Sequence, residues 1–355
     1  MRGEVINGIA VNYPDKLCFA FNPCPCTVTG VGGGQVAWTE TECGGSTVKI
    51  QAYHYMASWD IRELMQLAIR DKDVAGTTNW TVAYTIRAYA QDGTLLAEKE
   101  AESFCVWGAL HRGETWNVGR RLYYFEGYPF DFQVYLAGRV GKLIVYNDGR
   151  PDGLIDTGAY EGIFKFQLPS TPAPARDRYE VRDFTGTVQQ VTFDENFDLT
   201  FRYKFTGSEQ SVLVIDVMGT QYEYPVYLRW INRHGFISYY LFRGGEQRRQ
   251  VEAQAEYVRN NMREYNATSS LGDWSNRRRA YGRMDTQEIC APMVDREQFD
   301  FLQDLTSSPC VDRYDPETDT WEAVTVAEGT YTKTTEQLQD FIVNISMQDY
   351  DIQRL

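Results

Sequence analysis

The stretch 222–243, YEYPVYLRWINRHGFISYYLFR, decides the fold class. Eight of its 22 residues are Phe, Trp or Tyr, and it breaks once, at His234-Gly235. Tyr222, Tyr224, Val226, Leu228 and Trp230 recur at every second position, so their side chains share one face of an extended strand. Phe236, Tyr239, Tyr240 and Phe242 belong to a second strand, and Asn232-Arg233-His234-Gly235 supplies the turn between them. A hairpin this apolar cannot stand alone in water; it belongs to a sandwich core or covers a neighbouring subunit. The alternation assigns the Tyr222-to-Trp230 set to a core. It leaves Tyr227 and Arg229 on the opposite face for contacts with neighbours.

Similar alternation runs through the rest of the chain. Residues 48–53 and 80–90 read as strands, and Asp92-Gly93 turns the latter into 94–97. Shorter strands follow at 104–106, 122–125, 132–136, 143–146 and 163–168, most of them separated by Gly, Asp, Asn or Pro. Two helices interrupt the pattern. Ser58-Trp59-Asp60 precedes an apolar stripe of Ile61, Leu64, Met65, Ala68 and Ile69. Asp295, with Gln298 three residues on, opens a second helix with the stripe Phe301, Leu302 and Leu305, which Pro309 ends. Three prolines in 169–175, PSTPAPA, predict a stiff extended linker. The expectation is an all-β chain of two β-sandwich-like domains, with a short helix packed on each. They span 1–168 and 179–355, joined by a Pro-rich linker over 169–178, with an Arg-rich insertion near 243–283.

The 355 residues are enough for two domains of ordinary size, and 43% hydrophobic content can bury their cores. Aromatic content of 14%, with 24 Tyr, suits strands and interfaces. A net charge of −14 argues against nucleic acid as a partner. The local exception is the Arg-rich stretch. There Arg248, Arg249, Arg277, Arg278 and Arg279 are candidates to pair with acidic surface on another copy or another protein. No apolar run is long enough to span a membrane, and the N-terminal MRGEVINGIAVNY lacks the apolar core of a secretory signal. The expected setting is a reducing cytosol, with the seven cysteines as thiols.

Motifs for chemistry are sparse. Cys18, Cys24, Cys26 and Cys43 make a metal-like cluster, but Cys24-Pro25-Cys26 has a poor bite for zinc, and packing explains it better. His54, His111 and His234 fall in separate strands or turns. Gly30-Val31-Gly32-Gly33-Gly34 lacks the strand–turn–helix context of a phosphate loop. Asp312, Asp315, Glu317 and Asp319 lack calcium-loop spacing, so Asp315-Pro316-Glu317-Thr318-Asp319 reads as a β-turn. YDPETDTW is similar to a kelch hairpin but has no second copy. No catalytic residue, cofactor or metal is assigned, and an enzyme is not expected. An aromatic β-sandwich can instead bind carbohydrate by stacking sugar rings on residues such as Trp274.

Three stretches together resemble structural proteins of tailed bacteriophages and prophages. The first contains Trp107-Gly108-Ala109-Leu110, Gly113-Glu114, Asn117 and Tyr128-Pro129-Phe130. The second is Tyr224 to Asn232. The third is the capped helix with Ser307-Ser308-Pro309, the Trp321 hairpin, Thr330-Tyr331-Thr332 and Leu338-Gln339-Asp340-Phe341, which is similar to the end of distal-tail and tail-tip adaptor proteins. The resemblance implies a non-enzymatic virion component, assembled in host cytoplasm. It would form a homo-oligomeric ring, six copies by analogy, between tail-tube and tail-tip proteins. The alternative is a carbohydrate-binding module for host-surface attachment.

Overall fold

The computed structural model describes residues 1–30, 35–70, 79–111, 114, 120–147, 150–168, 178–191, 202–219, 222–253, 257–258, 277–278, 281–329 and 331–347. The fold is all-β, with two short α-helices and one 3₁₀ turn among the described residues. It divides into two compact units: Met1–Gly219 with Ile231–Tyr239, and Thr220–Trp230 with Tyr240–Leu355. The opening hairpin therefore contributes its turn to the first unit and its strands' far ends to the second.

The first unit begins with β1 (Arg2–Ile6), β2 (Ile9–Tyr13), β3 (Leu17–Phe19), β4 (Pro25–Gly30), β5 (Trp38–Cys43), β6 (Ser46–Gln51) and β7 (Met56–Asp60). Helix α1 (Arg62–Ile69), β8 (Asn79–Tyr89) and β9 (Leu95–Val106) follow. These strands make two sheets, β1-β2-β4-β7 and β3-β9-β8-β5-β6. One apolar cluster joins them, with Ile9, Val11 and Val28 from the first sheet and Val82, Tyr84 and Ile86 from the second. Leu64, Met65 and Ile69 of α1 are buried in it, as the sequence periodicity requires. The helix start differs from expectation, because β7 runs through Ser58 to Asp60. Asp60 Oδ1 accepts from the Arg62 and Cys24 backbone N–H groups, each at 2.9 Å, and so ties α1 to the entry of β4.

A further sheet in this unit uses β10 (Arg120–Phe125), β11 (Phe130–Asn147), β12 (Arg150–Leu168), β13 (Arg178–Val191) and β14 (Arg202–Met218), ordered β10-β14-β13-β11-β12. The expected linker falls inside this sheet. Residues 169–177 lie outside the described residues, but β12 before them and β13 after them both pair with β11. Shared ladder hydrogen bonds make 169–178 a connection within one body, and the chain divides at 219/220 instead.

The hairpin turn is seated in the first unit by a close backbone crossing. Asn232 Oδ1 accepts from the His234 and Phe236 backbone N–H groups at 3.0 and 3.1 Å, closing the turn, and Gly235 adopts φ +78°. A Cβ on Gly108 would lie 2.3 Å from the His234 carbonyl carbon, and one on Gly235 would lie 2.9 Å from that of Trp107. Only paired glycines permit this approach. The Ala109 N–H donates to Arg233 O at 2.5 Å across it. Phe236 then packs with Phe19, Val106 and Ile163.

Glu114 completes the seat. Its Oε1 accepts from Arg233 Nη2 at 2.9 Å and His234 Nε2 at 2.6 Å; its Oε2 accepts from Arg233 Nη1 at 3.0 Å and the His111 N–H at 2.9 Å. Burial alone would raise this carboxyl, but the His111 N–H, His234 and Arg233 outweigh it and hold Glu114 below its ordinary range. Burial, assisted by Arg233, also lowers His234.

The second unit is a closed barrel ordered β15-β16-β19-β22-β21-β20. Its strands are β15 (Pro225–Ile231), β16 (Ile237–Ala253), β19 (Tyr281–Val294), β20 (Val311–Asp315), β21 (Thr320–Val326) and β22 (Gln339–Met347); β17 (Tyr257–Val258) and β18 (Arg277–Arg278) pair apart from it. Helix α2 (Arg296–Gln303) has the predicted capping box of Asp295 and Gln298. Phe299 and Leu302 are buried, Phe299 meets Phe341 edge-on at 5.3 Å, and Phe301 meets Trp230 at the same distance. The 315–319 turn forms as read, with Asp315 accepting from the Glu317 N–H at 3.0 Å and the Thr318 hydroxyl at 2.9 Å. That engages the carboxylate a calcium loop would need.

Gly108→Ala is expected to lower unfolding free energy by about 2–4 kcal/mol, because backbone rather than a flexible side chain must move. Gly127→Ala, where φ is +85° and no atom lies within 4 Å, is expected to lower it by about 1–2 kcal/mol. Urea unfolding of both variants checks the contrast. Acid is expected to weaken the Glu114 seat in two stages. His234, lowered in the fold, loses stability as pH falls below its unfolded value of about 6.5, and Glu114 loses its contribution as pH falls below about 4.5. Glu114→Gln should remove the lower stage and about 1–2 kcal/mol at neutral pH, measured by urea unfolding at several pH values.

Candidate functional site

The Arg-rich segment forms a two-stranded arm. β16 and β19 pair from Arg243↔Cys290 out to Ala253↔Tyr281, while β22 accompanies β19 only as far as Thr286↔Ser346. Beyond that point, residues 281–285 pair with β16 alone among the described residues. Tyr257↔Arg278 and Val258↔Arg277 form a separate two-stranded ladder. A bulge between Gly244 and Gln247 comes just before β16 leaves the barrel, which it does past Arg248, the partner of Thr286. Gly244 is required there, since its N–H donates to Tyr224 O at 2.7 Å and a Cβ would lie 2.8 Å from that oxygen.

The arm is exposed on both faces. Arg248 and Arg249 side chains are 70% and 57% exposed, and Val251 and Met284 are 56% and 41% exposed. Asp285 accepts two bonds from Arg249, at 2.8 and 3.2 Å, and is also bound by Arg283. Hydrogen bonds from Arg283 and Arg249 hold its carboxyl well below the usual carboxylate range. Arg248 pairs with Glu246 at 3.2 Å. Exposed ion pairs of this kind are screened by solvent and contribute little to stability, so they shape the arm more than they hold it. Over 243–283 the sequence has nine Arg and no Lys against four Glu and one Asp, a net +4; the other 314 residues therefore carry −18.

The structure redistributes the candidate residues. Arg248 and Arg249 lie on the arm, and Arg277 and Arg278 lie in β18; Arg279 is outside the described residues. Tyr227 is only 1% exposed, because the second face of β15 is covered too: its ring lies 6.3 Å from Tyr314 and 5.8 Å from Trp321. It belongs to the core and offers no surface to a neighbour. Arg229 bonds Asp312 at 2.8 Å and stacks over Trp321 at 4.4 Å, so it too is engaged within the barrel. Tyr224, assigned to the core by alternation, is 66% exposed, because β15 starts only at Pro225. Spacing along the chain does not point to the role of Glu114. Its partners at 111, 233 and 234 share no local pattern with it.

A second surface was missed entirely. Tyr53-His54-Tyr55-Met56 joins β6 to β7 as a two-residue turn, with Tyr53 N–H to Met56 O at 2.8 Å and Met56 N–H to Tyr53 O at 3.0 Å. His54 and Tyr55 have φ +59° and +132°, where Asn-Gly would be favoured. Tyr53, Tyr55 and Met56 are 77%, 54% and 50% exposed. Bulky rings thus occupy a strained turn and face solvent. The thiols Cys18, Cys24, Cys26 and Cys43 are buried in the first unit's core. Among the described residues no group of three or more His, Cys, Asp or Glu is placed to hold a metal, and no helix is long and apolar enough to cross a membrane. Trp274 and most of the glycine stretch at 30–34 lie outside the described residues.

No protein-family model and no curated protein matches this chain. Among solved structures, the chain is similar to fibronectin(III)-like modules of Clostridium thermocellum CbhA, with 9% identity and a TM-score of 0.20 over 59% of this chain and 94% of that one. It is also similar to a Ca²⁺-stabilized, ice-binding adhesin of an Antarctic bacterium, with 9% identity and a TM-score of 0.18 over 98% of this chain and 74% of that one. Neither likeness bears on function.

Replacing His54-Tyr55 by Asn-Gly is expected to raise unfolding free energy by about 1–3 kcal/mol, since it removes backbone strain without opening a core. Thermal unfolding of the double variant checks this; a loss of stability would show that the two side chains hold the turn in place.

Proposed function

We propose that this chain is a non-enzymatic structural subunit of a bacteriophage tail, of the distal-tail or baseplate-adaptor kind. It joins copies of itself into a ring and holds neighbouring tail-tube and tail-tip proteins. The supporting observation is the arginine-rich arm. A two-stranded ribbon is marginal by itself in water and gains stability when it lies against another surface. A net +4 segment on a body of −18 is attracted to the body of a second copy. Arm-on-body contact is heterologous, using different patches on the two partners, and such contacts close into rings when the rotation between copies allows. Six copies is the count implied by the sequence resemblance. In this reading the protein acts in the virion tail, after assembly in the host cytoplasm.

Light scattering and negative-stain imaging of the purified protein test this. Rings are expected at low salt, fewer as ionic strength rises, and none for Arg248→Glu/Arg249→Glu at unchanged thermal stability. A protein that stays monomeric at high concentration and binds no tail component would overturn the assignment.

A carbohydrate-binding reading is favoured by one observation, the exposed tyrosines of the 53–56 turn, which could stack on sugar rings. It expects saturable binding on a glycan array, lost in Tyr53→Ala/Tyr55→Ala. A flat array response excludes it.

A further inference from the structure

The five cysteines in the first unit's core are not equivalent. Cys26, Cys43 and Cys105 are 0%, 2% and 0% exposed, and burial raises all three thiols, to about 11 for Cys43 and about 12 for Cys105. Cys18 and Cys24, 6% and 3% exposed, line a cavity of about 360 Å³, bounded also by Pro14, Asp15, Asn22 and Pro23. Each thiol donates to a main-chain carbonyl beside that cavity, Cys18 Sγ to Asp15 O at 3.3 Å and Cys24 Sγ to Asn22 O at 3.6 Å.

The two thiols stand on the wall of the same cavity. The Cys24 thiol holds Cys18 below its ordinary value; Ser103 and Arg2 act in the same direction, against burial and the Asp15 carboxylate. The Cys18 thiol and burial keep Cys24 protonated. One member of the pair is thus disposed to attack, and the other to follow. Space for a small reagent lies against both. The sealed thiols of Cys26 and Cys105 have neither feature.

We propose that Cys18 and Cys24 form a modification site for low-molecular-weight disulfides, with Cys18 as the attacking thiol and Cys24 as the resolving thiol. The Cys18 thiolate attacks one sulfur of the disulfide, forms a mixed disulfide and releases one small thiolate, which takes up a proton. Cys24 then gives up its proton and attacks Cys18 Sγ, which forms the Cys18–Cys24 bond and expels the second small thiol. Two electrons pass from the protein dithiol to the small disulfide. Cys18 lies in β3 and Cys24 directly precedes β4, and these strands belong to opposite sheets of the sandwich. The product bond is a covalent staple between the two sheets, made after folding and reversible by excess thiol.

The experiment incubates full-length protein with glutathione disulfide, blocks remaining thiols with iodoacetamide, and locates each modification by tandem mass spectrometry. In the wild type the expected product is a Cys18–Cys24 link, lighter by two hydrogens, formed at least about tenfold faster than any modification of Cys43 or Cys105. Cys24→Ser should accumulate glutathione on Cys18, and Cys18→Ser should leave Cys24 unmodified. Half-buried Cys310 reports reactivity due to exposure alone. The proposal is overturned if wild-type Cys18 reacts no faster than Cys105, or if a folded Cys24→Ser protein carries no adduct at Cys18. The wild-type comparison decides the matter even where a variant fails to fold.

Discussion

The crossing of Gly108 over Gly235 is the contact on which the hairpin's position depends. Two backbones approach so closely there that neither residue can carry a Cβ. The consequences spread outward from the crossing. Arg233 and His234 are brought to Glu114, whose four acceptor contacts saturate the carboxylate. Phe236 is delivered to Phe19, Val106 and Ile163. Tyr239 donates to Asp131 at 2.7 Å and packs on Phe130. A turn of nine residues is thereby built into a body that its own flanking strands do not belong to.

The barrel meets a different constraint. β15 is buried on both faces, with Trp230 against Phe301 of α2 and Tyr227 against the cross-strand pair Tyr314 and Trp321. Period-two alternation separates the faces of a strand correctly, yet it cannot say that both will be covered. Arg229 is accommodated on a covered face because Asp312 and the Trp321 ring take up its charge.

Local chemistry was therefore legible and long-range chemistry was not. The all-β class, the Asp295–Gln298 capping box, the α1 stripe and the turns at Asp92-Gly93, His234-Gly235 and Asp315–Asp319 all follow from neighbours a few residues apart. The Pro-rich stretch looked like a boundary because proline stiffens a chain, but stiffness does not tell a linker from a connection within one sheet. The burial of Tyr227 depends on Trp321, almost a hundred residues away, and Glu114 gains its meaning from residues about 120 positions on. Of the arginine candidates, Arg248 and Arg249 are on open surface because β16 leaves the barrel there.

That continuity of β16 has a mechanical consequence. The strand that closes the barrel is the same one that runs out along the arm, so the two share a single covalent track and a single ladder with β19. Tension applied to the arm along its length draws β16 and β19 outward together, so the load falls in shear on the β19–β22 ladder, from Thr286↔Ser346 to Val294↔Gln339, whose hydrogen bonds bear it together. A partner holding the arm would be pulling on the barrel wall itself, with no hinge between them except the bulge.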